Sequence, residues 1–302
     1  LGAAAGVCCI ARKLGTPCRI VMDANKTAAG QLRDRMLRVP EYGKAFLSPQ
    51  EAYLHADSRT LLVVVDTNRP DQVENRNLLE ACTRVAVIDH HRRAATYITN
   101  ATMSFHEPYA SSACELMTEL LEEQVEQPDI LRVEAEAMLS GIMLDTKDFT
   151  VRTGERTFEA AAFLRRNGAD VVRVRKLFRD RLEDYRARAE AIQKAEIYHG
   201  AFAISVCPSE GLESPTVVGA QAANELLDIV GIKASFILTQ MGDTIYFSAR
   251  SIDEINVQII MERLGGGGHR TIAGAQLKGA TIDEAREKLK DLITDMMEKG
   301  EI

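Results

Sequence analysis

In one short stretch of the chain, an apolar strand pattern is followed directly by three polar residues. Residues 85–88 (Val-Ala-Val-Ile) are apolar and mostly β-branched, which is typical of a strand in the interior of a sheet. Asp89, His90 and His91 follow directly. Burying such polar groups costs free energy unless each finds a partner. The run therefore favours a ligand-binding site, with two structurally satisfied histidines as the alternative interpretation.

A second strand ends in the same way. Residues 61–65 (Leu-Leu-Val-Val-Val) run straight into Asp66, and a third acid, Asp145, ends the apolar helix pattern of residues 133–144. The carboxyl ends of parallel strands meet at one edge of an α/β sheet, where ligands bind. Taken alone, Asp66 could open a turn and Asp145 could cap a helix. Together with the Asp-His-His run, they predict a metal site.

The ligand types narrow the choice of metal. Asp66, His90 and Asp145 offer carboxylate and imidazole ligands, which suit Mn²⁺, Fe²⁺ or Zn²⁺. Because no cysteine is among them, we favour manganese over a structural zinc ion. Three protein ligands leave positions open for water and for a phosphate oxygen. The set predicts a hydrolase of phosphodiesters or phosphoanhydrides that uses a metal-activated hydroxide.

The bulk composition limits the partners. The chain has 302 residues, 46% of them hydrophobic, as in a soluble globular protein, and a formal net charge of −7. The negative charge argues against binding of long nucleic acid, although a local cluster of metal, Arg and His can attract a small anion. No apolar run reaches the length of a membrane span, and the chain carries no signal-peptide pattern. Because it begins at Leu1 inside a helix-like pattern, we expect a fragment or a processed protein.

The order of patterns predicts two domains. Residues 1–178 alternate helices and strands, as in an α/β domain with a mostly parallel sheet. Residues 179–199 are highly charged with sparse apolar positions, which suits an exposed helix connecting two domains. The composition then changes, and residues 200–302 predict a smaller α/β domain. The predicted fold class is therefore α/β in both domains, with a helical linker.

Four consecutive glycines punctuate the second domain. Residues 265–268 are all glycine, and His269 follows them. A flexible loop is the plain interpretation, but such loops usually also contain Ser and Asn. Backbone N–H groups that no side chain obstructs can instead form a cradle for an anion, with Arg250 and His269 supplying positive charge. We favour the phosphate cradle.

These motifs together resemble those of the DHH/DHHA1 phosphoesterases. The Asp-His-His run at 89–91 matches the motif that names the family, and residues 265–269 match the signature of its second domain. Asp66 in VVVDTNRP and Asp145 in GIMLDTKDF match two further motifs. The resemblance covers essentially the whole chain. Within the family the chain is most similar to the GdpP-type cyclic-di-AMP phosphodiesterases of bacteria, a likeness carried by residues 100–120, 144–170 and 248–269.

The resemblance implies a role for each matching residue. Asp66 would bridge two metal ions, and His90 and Asp145 would complete the second metal site. His91 would face the scissile phosphate. Asp89 would not bind the metal but would hold a histidine in its orientation. The second domain would hold substrate through Arg250, Gly266, Gly267, Gly268 and His269.

One motif of the family is missing from this sequence. A His followed by an Asp-x-Asp pair would lie immediately before Leu1, and the chain does not contain it. Half of the first metal site is therefore not among these residues. The resemblance also implies upstream membrane-spanning, PAS and degenerate GGDEF segments. This chain would then be the cytoplasmic part of a membrane-anchored protein.

The implied activity is hydrolysis of cyclic di-AMP to linear 5′-pApA. The expected cofactor is a pair of Mn²⁺ ions, with Fe²⁺ or Co²⁺ as substitutes. Alternatives within the family are a nanoRNase-like hydrolase of short linear oligonucleotides such as pApA, a RecJ-type exonuclease and a pyrophosphatase. An alternative of another class is a catalytically incomplete module that only binds a dinucleotide. Homodimerisation is implied by resemblance alone.

Overall fold

The polypeptide divides into two units, Leu1–Arg179 and Asp180–Ile302. The computed structural model describes residues 1–24, 27, 29–93, 95–124, 129–252 and 254–302. Each unit has buried apolar clusters of its own. Both units combine helices with β-sheets, which confirms the predicted α/β class.

Short parallel strands form the sheets of the first unit. They are β1 Ile20–Val21, β2 Phe46–Leu47, β3 Leu61–Val65, β4 Arg84–Asp89 and β5 Met103–His106. β1 pairs with β2, and the larger sheet has the order β3-β4-β5, with every pair parallel. The two strands that end in acids are therefore neighbours, as predicted. Val65 lies opposite Ile88, and both strands end at the same edge of the sheet.

Helices pack around these strands. They are α1 Gly2–Lys13, α2 Gly30–Leu37, α3 Pro49–His55, α4 Arg76–Ala81, α5 Ala113–Gln124, α6 Arg132–Asp145, α7 Glu155–Arg166 and α8 Val171–Arg175. Small residues let α1, α5 and α6 approach closely. A Cβ atom on Gly2 would overlap the carbonyl oxygen of Ala137, and one on Gly141 would overlap Sγ of Cys114. This close packing fixes α6, which ends at Asp145.

The second unit is built on one six-stranded sheet. Its strands are β6 Glu196–Tyr198, β7 Phe202–Cys207, β8 Ala234–Met241, β9 Thr244–Ser251, β10 Gly267–His269 and β11 Ile272–Lys278. They lie in the order β10-β11-β9-β8-β7-β6. Only the β7–β8 pair is parallel among these strands, and the other pairs are antiparallel. The second sheet thus differs from the first, whose pairs all run parallel.

The helices of the second unit cover both faces of this sheet. They are α9 Leu182–Gln193, α10 Pro215–Leu226, α11 Val257–Arg263 and α12 Ile282–Glu298. One apolar cluster joins the sheet to α11 and α12, and another joins it to α9 and α10. The charged segment 179–199 contains α9 and β6, and α9 buries Ala187 and Ala191 within the second unit. In the described part of the chain, no helix is long and apolar enough to cross a membrane.

Candidate metal centre

The backbone turns sharply where β3 ends. Asp66 has a φ of 66°, in the left-handed region that few residues other than Gly, Asn and Asp adopt. Its N–H group donates to the carbonyl oxygen of Ile88 on β4 at 2.9 Å, which ties the turn to the neighbouring strand. Unfavourable backbone conformations of this kind persist where the surrounding structure enforces them, often at functional sites. The turn leaves the Asp66 carboxylate half exposed at the edge of the sheet.

Two carboxylates lie close to one imidazole nitrogen at this edge. Nε2 of His90 lies 3.4 Å from Oδ1 of Asp66 and 3.8 Å from Oδ2 of Asp145. The His90 side chain is only 4% exposed, whereas those of Asp66 and Asp145 are 50% and 30% exposed. Ligand atoms that share one ion at bond lengths of about 2.0–2.2 Å lie about 3–4 Å apart. The two distances from Nε2 of His90 are therefore in the range found between ligands of one divalent ion.

The electrostatics of the site also fit a cation. Burial, followed by the negative charge of Asp66, raises the pKa of Asp145 to about 6. Two carboxylates at one partly desolvated place repel each other, so that one of them resists ionisation. A divalent ion would neutralise both charges at once. The carboxylate and imidazole groups of Asp66, His90 and Asp145 thus suit a divalent cation in donor type and charge.

A backbone carbonyl sets the orientation of His90. Its Nδ1 atom lies 3.3 Å from the carbonyl oxygen of Ala110. Because a carbonyl can only accept a hydrogen bond, Nδ1 carries the proton in this contact. Nε2 then keeps its lone pair on the side of Asp66 and Asp145. This is the usual arrangement of a histidine that binds a metal through one nitrogen and is held through the other.

His91 lies beside His90 at the same edge. The centres of the two rings are 4.4 Å apart, and ligand atoms of Asp66, His90 and His91 all lie within 4.8 Å of one another. The His91 side chain is 54% exposed, and its Nδ1 atom lies 2.8 Å from Oδ1 of the buried Asp89. That hydrogen bond raises the pKa of His91. The geometry leaves Nε2 of His91 free for either a metal or a substrate.

A fully buried carboxylate lies behind His91. Burial alone would raise the pKa of Asp89, but hydrogen bonds from His91 and Asn68 outweigh it and hold the pKa below its ordinary value. Nδ2 of Asn68 donates to Oδ2 of Asp89 at 2.6 Å. Sequence reasoning missed Asn68, whose place in the turn after β3 is the same as that of many solvated Asn residues. The sequence gives no local signal for it, because its partner Asp89 lies 21 residues further along the chain.

The first unit therefore brings five predicted site residues together at the end of β3, β4 and α6. They are Asp66, Asp89, His90, His91 and Asp145. The remaining predicted residues, which belong to the glycine-rich signature and β9, lie in the second unit.

The glycine run is an ordered part of the second sheet. Gly265 follows α11 with a φ of 80°, and Gly267–His269 forms β10, which pairs with β11. A Cβ atom on Gly266 would overlap the carbonyl oxygen of Gly274, and one on Gly268 would lie 2.5 Å from Cα of Ala273. A Cβ atom on Gly267 would meet no heavy atom within 4 Å. Close backbone packing thus explains two of the glycines, while Gly267 has space beside it.

Arg250 and His269 lie in one row across this sheet. His269 is opposite Ile272 on β11, which is opposite Arg250 on β9. Residues in such a row share one face of the sheet. Nε of Arg250 donates to Oδ1 of Asn224 on α10 at 3.0 Å, and burial lowers the pKa of Arg250. The structure therefore sets the two predicted substrate-binding side chains on the same face, with the exposed Ile272 between them.

Comparison with known proteins agrees with these motifs. Residues 1–142 match the DHH family, N-terminal domain, and residues 202–295 match the DHHA1 domain. The chain is 43% identical over 303 residues to "Cyclic-di-AMP phosphodiesterase GdpP" of Geobacillus thermodenitrificans, covering 99% of this chain and 46% of that protein. It is 41% identical over 304 residues to "Cyclic-di-AMP phosphodiesterase PdeA" of Listeria monocytogenes, covering 100% of this chain and 46% of that protein. The chain thus spans about half the length of these curated relatives.

A solved structure shares the fold. An exopolyphosphatase-related protein from Bacteroides fragilis superimposes with a TM-score of 0.74 at 18% sequence identity, covering 98% of this chain and 88% of that one. The two matched domains, in their order, and the identity to the relatives assign the family. The chain belongs to the DHH family and carries a DHH amino-terminal domain followed by a DHHA1 domain.

Proposed function

We propose that this chain is the catalytic part of a metal-dependent phosphodiesterase that hydrolyses cyclic di-AMP to linear 5′-pApA. The observation that carries the proposal is that carboxylate oxygens of Asp66 and Asp145 lie 3.4 Å and 3.8 Å from Nε2 of His90. The identity of 41–43% to two cyclic-di-AMP phosphodiesterases supports the choice of substrate. We further propose Mn²⁺ as the ion, with Fe²⁺ or Co²⁺ as substitutes, because the ligands are carboxylates and imidazole.

The residues of the first unit would bind the ion and donate one proton. Asp66, His90 and Asp145 would bind it, and the bound ion would act as a Lewis acid on water and on a phosphoryl oxygen. His91 keeps its proton over a wider pH range than an isolated histidine, because Asp89 accepts a hydrogen bond from its Nδ1 atom. Nε2–H of His91 can then donate to the phosphate or to the leaving 3′ oxygen. Asp89 would position His91 for that step.

The second unit would bind the nucleotide. Arg250 is a permanent cation on the same sheet face as His269, and both suit a phosphate group. Gly267 has open space beside it, which would let a ligand approach the backbone of β10. Gly266 and Gly268 would support this role indirectly by letting β10 lie against β11. We propose these residues as the substrate-binding set.

The cellular setting is a proposal as well. We propose a membrane-anchored parent protein with this chain on its cytoplasmic side, a setting that the resemblance to the GdpP-type relatives supports. We also propose homodimerisation, which the family resemblance supports.

The proposed activity is tested by substrate competition. Purified full-length protein is incubated with Mn²⁺ and given cyclic di-AMP, linear pApA or pyrophosphate in separate reactions, and the products are resolved by chromatography. A chelator-treated sample is the control. We expect conversion of cyclic di-AMP to pApA that stops at pApA and requires the metal. Preferred cleavage of pApA to AMP would instead assign a nanoRNase-like activity, and binding of cyclic di-AMP without turnover would assign a binding module.

A further inference from the structure

The buried carboxylate of Glu115 contacts Ser111, the residue that follows Ala110 in the chain. Glu115 on α5 is 2% exposed. Its Oε2 atom accepts hydrogen bonds from Oγ of Ser111 at 2.5 Å and from Oγ1 of Thr157 at 2.7 Å. It also accepts a longer bond of 3.4 Å from the backbone N–H of Ser111. Burying a carboxylate is unfavourable unless its oxygen atoms are satisfied in this way.

This carboxylate does more than cap a helix. Ser112 already caps α5, because its Oγ accepts from the backbone N–H of Glu115 at 3.0 Å. A reciprocal capping glutamate would bind the backbone of that same serine at the surface of the protein. The Glu115 side chain turns instead to Ser111, one residue earlier, and to Thr157 on α7. The network therefore holds the turn that precedes α5.

That turn carries the carbonyl group that holds His90. Ala110, which accepts from Nδ1 of His90 at 3.3 Å, is bonded directly to Ser111, and both residues are at most 3% exposed. A rotation of the peptide unit between them would turn the Ala110 carbonyl away from the imidazole. The Glu115 carboxylate accepts hydrogen bonds from both the hydroxyl group and the backbone N–H of Ser111, and these bonds restrain that peptide unit. A fixed peptide unit in turn keeps Nε2 of His90 directed toward Asp66 and Asp145.

We infer that Glu115, with Thr157, is a positioning residue for the metal ligand His90, acting through Ser111 and the carbonyl group of Ala110. The inference rests on the proposed metal site. Residues that hold a metal ligand in place without touching the metal typically change the metal affinity by about 10–100-fold when they are substituted. Glu115 itself touches neither metal nor substrate in this scheme, because its carboxylate is occupied by Ser111 and Thr157.

Two variants test the network, and a third is the control. Glu115→Gln keeps the shape of the side chain but removes its negative charge, and the single amide oxygen accepts more weakly from the hydroxyl groups of Ser111 and Thr157 than a carboxylate oxygen does. Thr157→Val removes one donor at nearly constant volume and serves if Glu115→Gln folds poorly. Glu119→Gln is the matched control, since Glu119 lies one turn further along α5 and pairs with Arg156 at 2.7 Å.

The first readout is the affinity for Mn²⁺, measured from the electron paramagnetic resonance signal of the free ion. We expect Kd to rise about tenfold or more in Glu115→Gln and by a smaller factor in Thr157→Val. Glu119→Gln should bind as the wild type does. Turnover of cyclic di-AMP should recover when Mn²⁺ is raised well above the new Kd.

The second readout needs no metal. Proton–nitrogen correlation spectra of the metal-free protein report which nitrogen of His90 carries the proton. We expect the Nδ1–H form in the wild type and a mixture of forms in Glu115→Gln. Wild-type affinity and a single Nδ1–H form in both variants would overturn the inference. Failure of the wild type itself to bind Mn²⁺ would count against the proposed function, while the spectra would still decide the role of Glu115.

Discussion

At the scale of single residues, the candidate site combines one histidine with two carboxylates whose negative charges disfavour each other until a cation joins them. Asp66 and Asp145 both lie beside His90, and the pKa of Asp145 is raised to about 6 as a result of burial and of Asp66. Such arrangements reduce the stability of the metal-free protein in exchange for function. The loss of stability in the metal-free protein and the contribution to activity can be measured separately.

We expect Asp145→Asn to stabilise the metal-free protein. A carboxyl group with a folded-state pKa of about 6 and an ordinary pKa of 3.8 destabilises the folded state once both pKa values are exceeded. The substitution removes that penalty, so we expect a gain of about 1–2 kcal/mol in the free energy of unfolding at pH 8, after allowance for partial exposure. The gain should shrink as the pH falls through 6 and vanish below about 4. Chemical denaturation in the presence of a chelator measures it, and an equal gain at all pH values would contradict the explanation.

Two substitutions of Asp66 distinguish its effect on stability from its effect on activity. Its left-handed backbone is tolerated by Asn but is unfavourable for Ala. We expect Asp66→Asn to keep or slightly raise the stability of the metal-free protein, because it removes the charge that faces Asp145. Turnover should fall by more than about 100-fold, because one ligand charge is lost. Asp66→Ala should lose both activity and about 1 kcal/mol of stability.

His90→Ala completes this comparison. It should abolish turnover while circular dichroism still reports a folded chain, since His90 lies at the end of β4 rather than within it. Substantial remaining Mn²⁺-dependent hydrolysis in the Asp66 or His90 variants would contradict the assignment of these residues as ligands.

At the scale of elements, the glycine run shows how one motif can serve packing and binding at adjacent positions. Gly266 and Gly268 have no room for a Cβ atom, and Gly268 also has a φ of 147°. Gly267 lies between them with open space around it. The run was interpreted from sequence as an anion cradle; the structure gives β10 as an ordered edge strand, and the role of the run toward phosphate stays a proposal.

Alanine substitutions distinguish the two contributions. We expect Gly268→Ala to lower the free energy of unfolding by about 2 kcal/mol, because the new methyl group meets Ala273 and the backbone conformation is unfavourable. Gly267→Ala should change stability by no more than about 0.5 kcal/mol. If β10 approaches the substrate, Gly267→Ala should raise KM for cyclic di-AMP. Equal destabilisation by both substitutions, measured by urea denaturation, would contradict the packing explanation.

The elements also explain which parts of the site could be predicted. Asp66 and His90 were accessible from sequence because each follows an uninterrupted apolar strand, and parallel strands end at a common edge. Asn68, Ala110 and Glu115 were not, since their importance comes from contacts between segments far apart in the chain. The spacing of Ser112 and Glu115 is also that of a helix-capping pattern found in many surface helices, so it does not single them out. Only the burial of Glu115 and its turn toward Ser111 distinguish it.

At the scale of the whole molecule, the two units have separate apolar clusters and separate sheets. The α/β class followed from the alternation of helix and strand patterns along the sequence, and the domain bounds of 1–178, 179–199 and 200–302 stay a prediction. The mostly antiparallel pairing of the second sheet did not follow, since local patterns give the strands but not their order. All the proposed metal ligands belong to the first unit.

Metal binding should therefore stabilise the chain unevenly. At a Mn²⁺ concentration 100 times Kd, the unit that binds the ion gains about 2.7 kcal/mol. Hydrogen exchange should slow in peptides that cover residues 85–91 and 132–145, and it should stay unchanged in peptides that cover 202–207 and 234–251. Mass spectrometry of the exchanged protein, with and without Mn²⁺, measures this pattern. Equal protection of both units would place the bound ion elsewhere.

The parallel register of β3 and β4 has a consequence for how such a chain can change in length. Because Val65 is paired with Ile88, the two strands end at the same edge of the sheet, and Asp66 and His90 lie together there. A residue inserted within either strand would reverse the facing of every side chain beyond it and separate the pair. Residues added to the connection after β3, where Asp71, Gln72 and Glu74 are exposed, would leave both strand ends where they are. Insertions and deletions should therefore accumulate in that connection and be absent from the strands themselves.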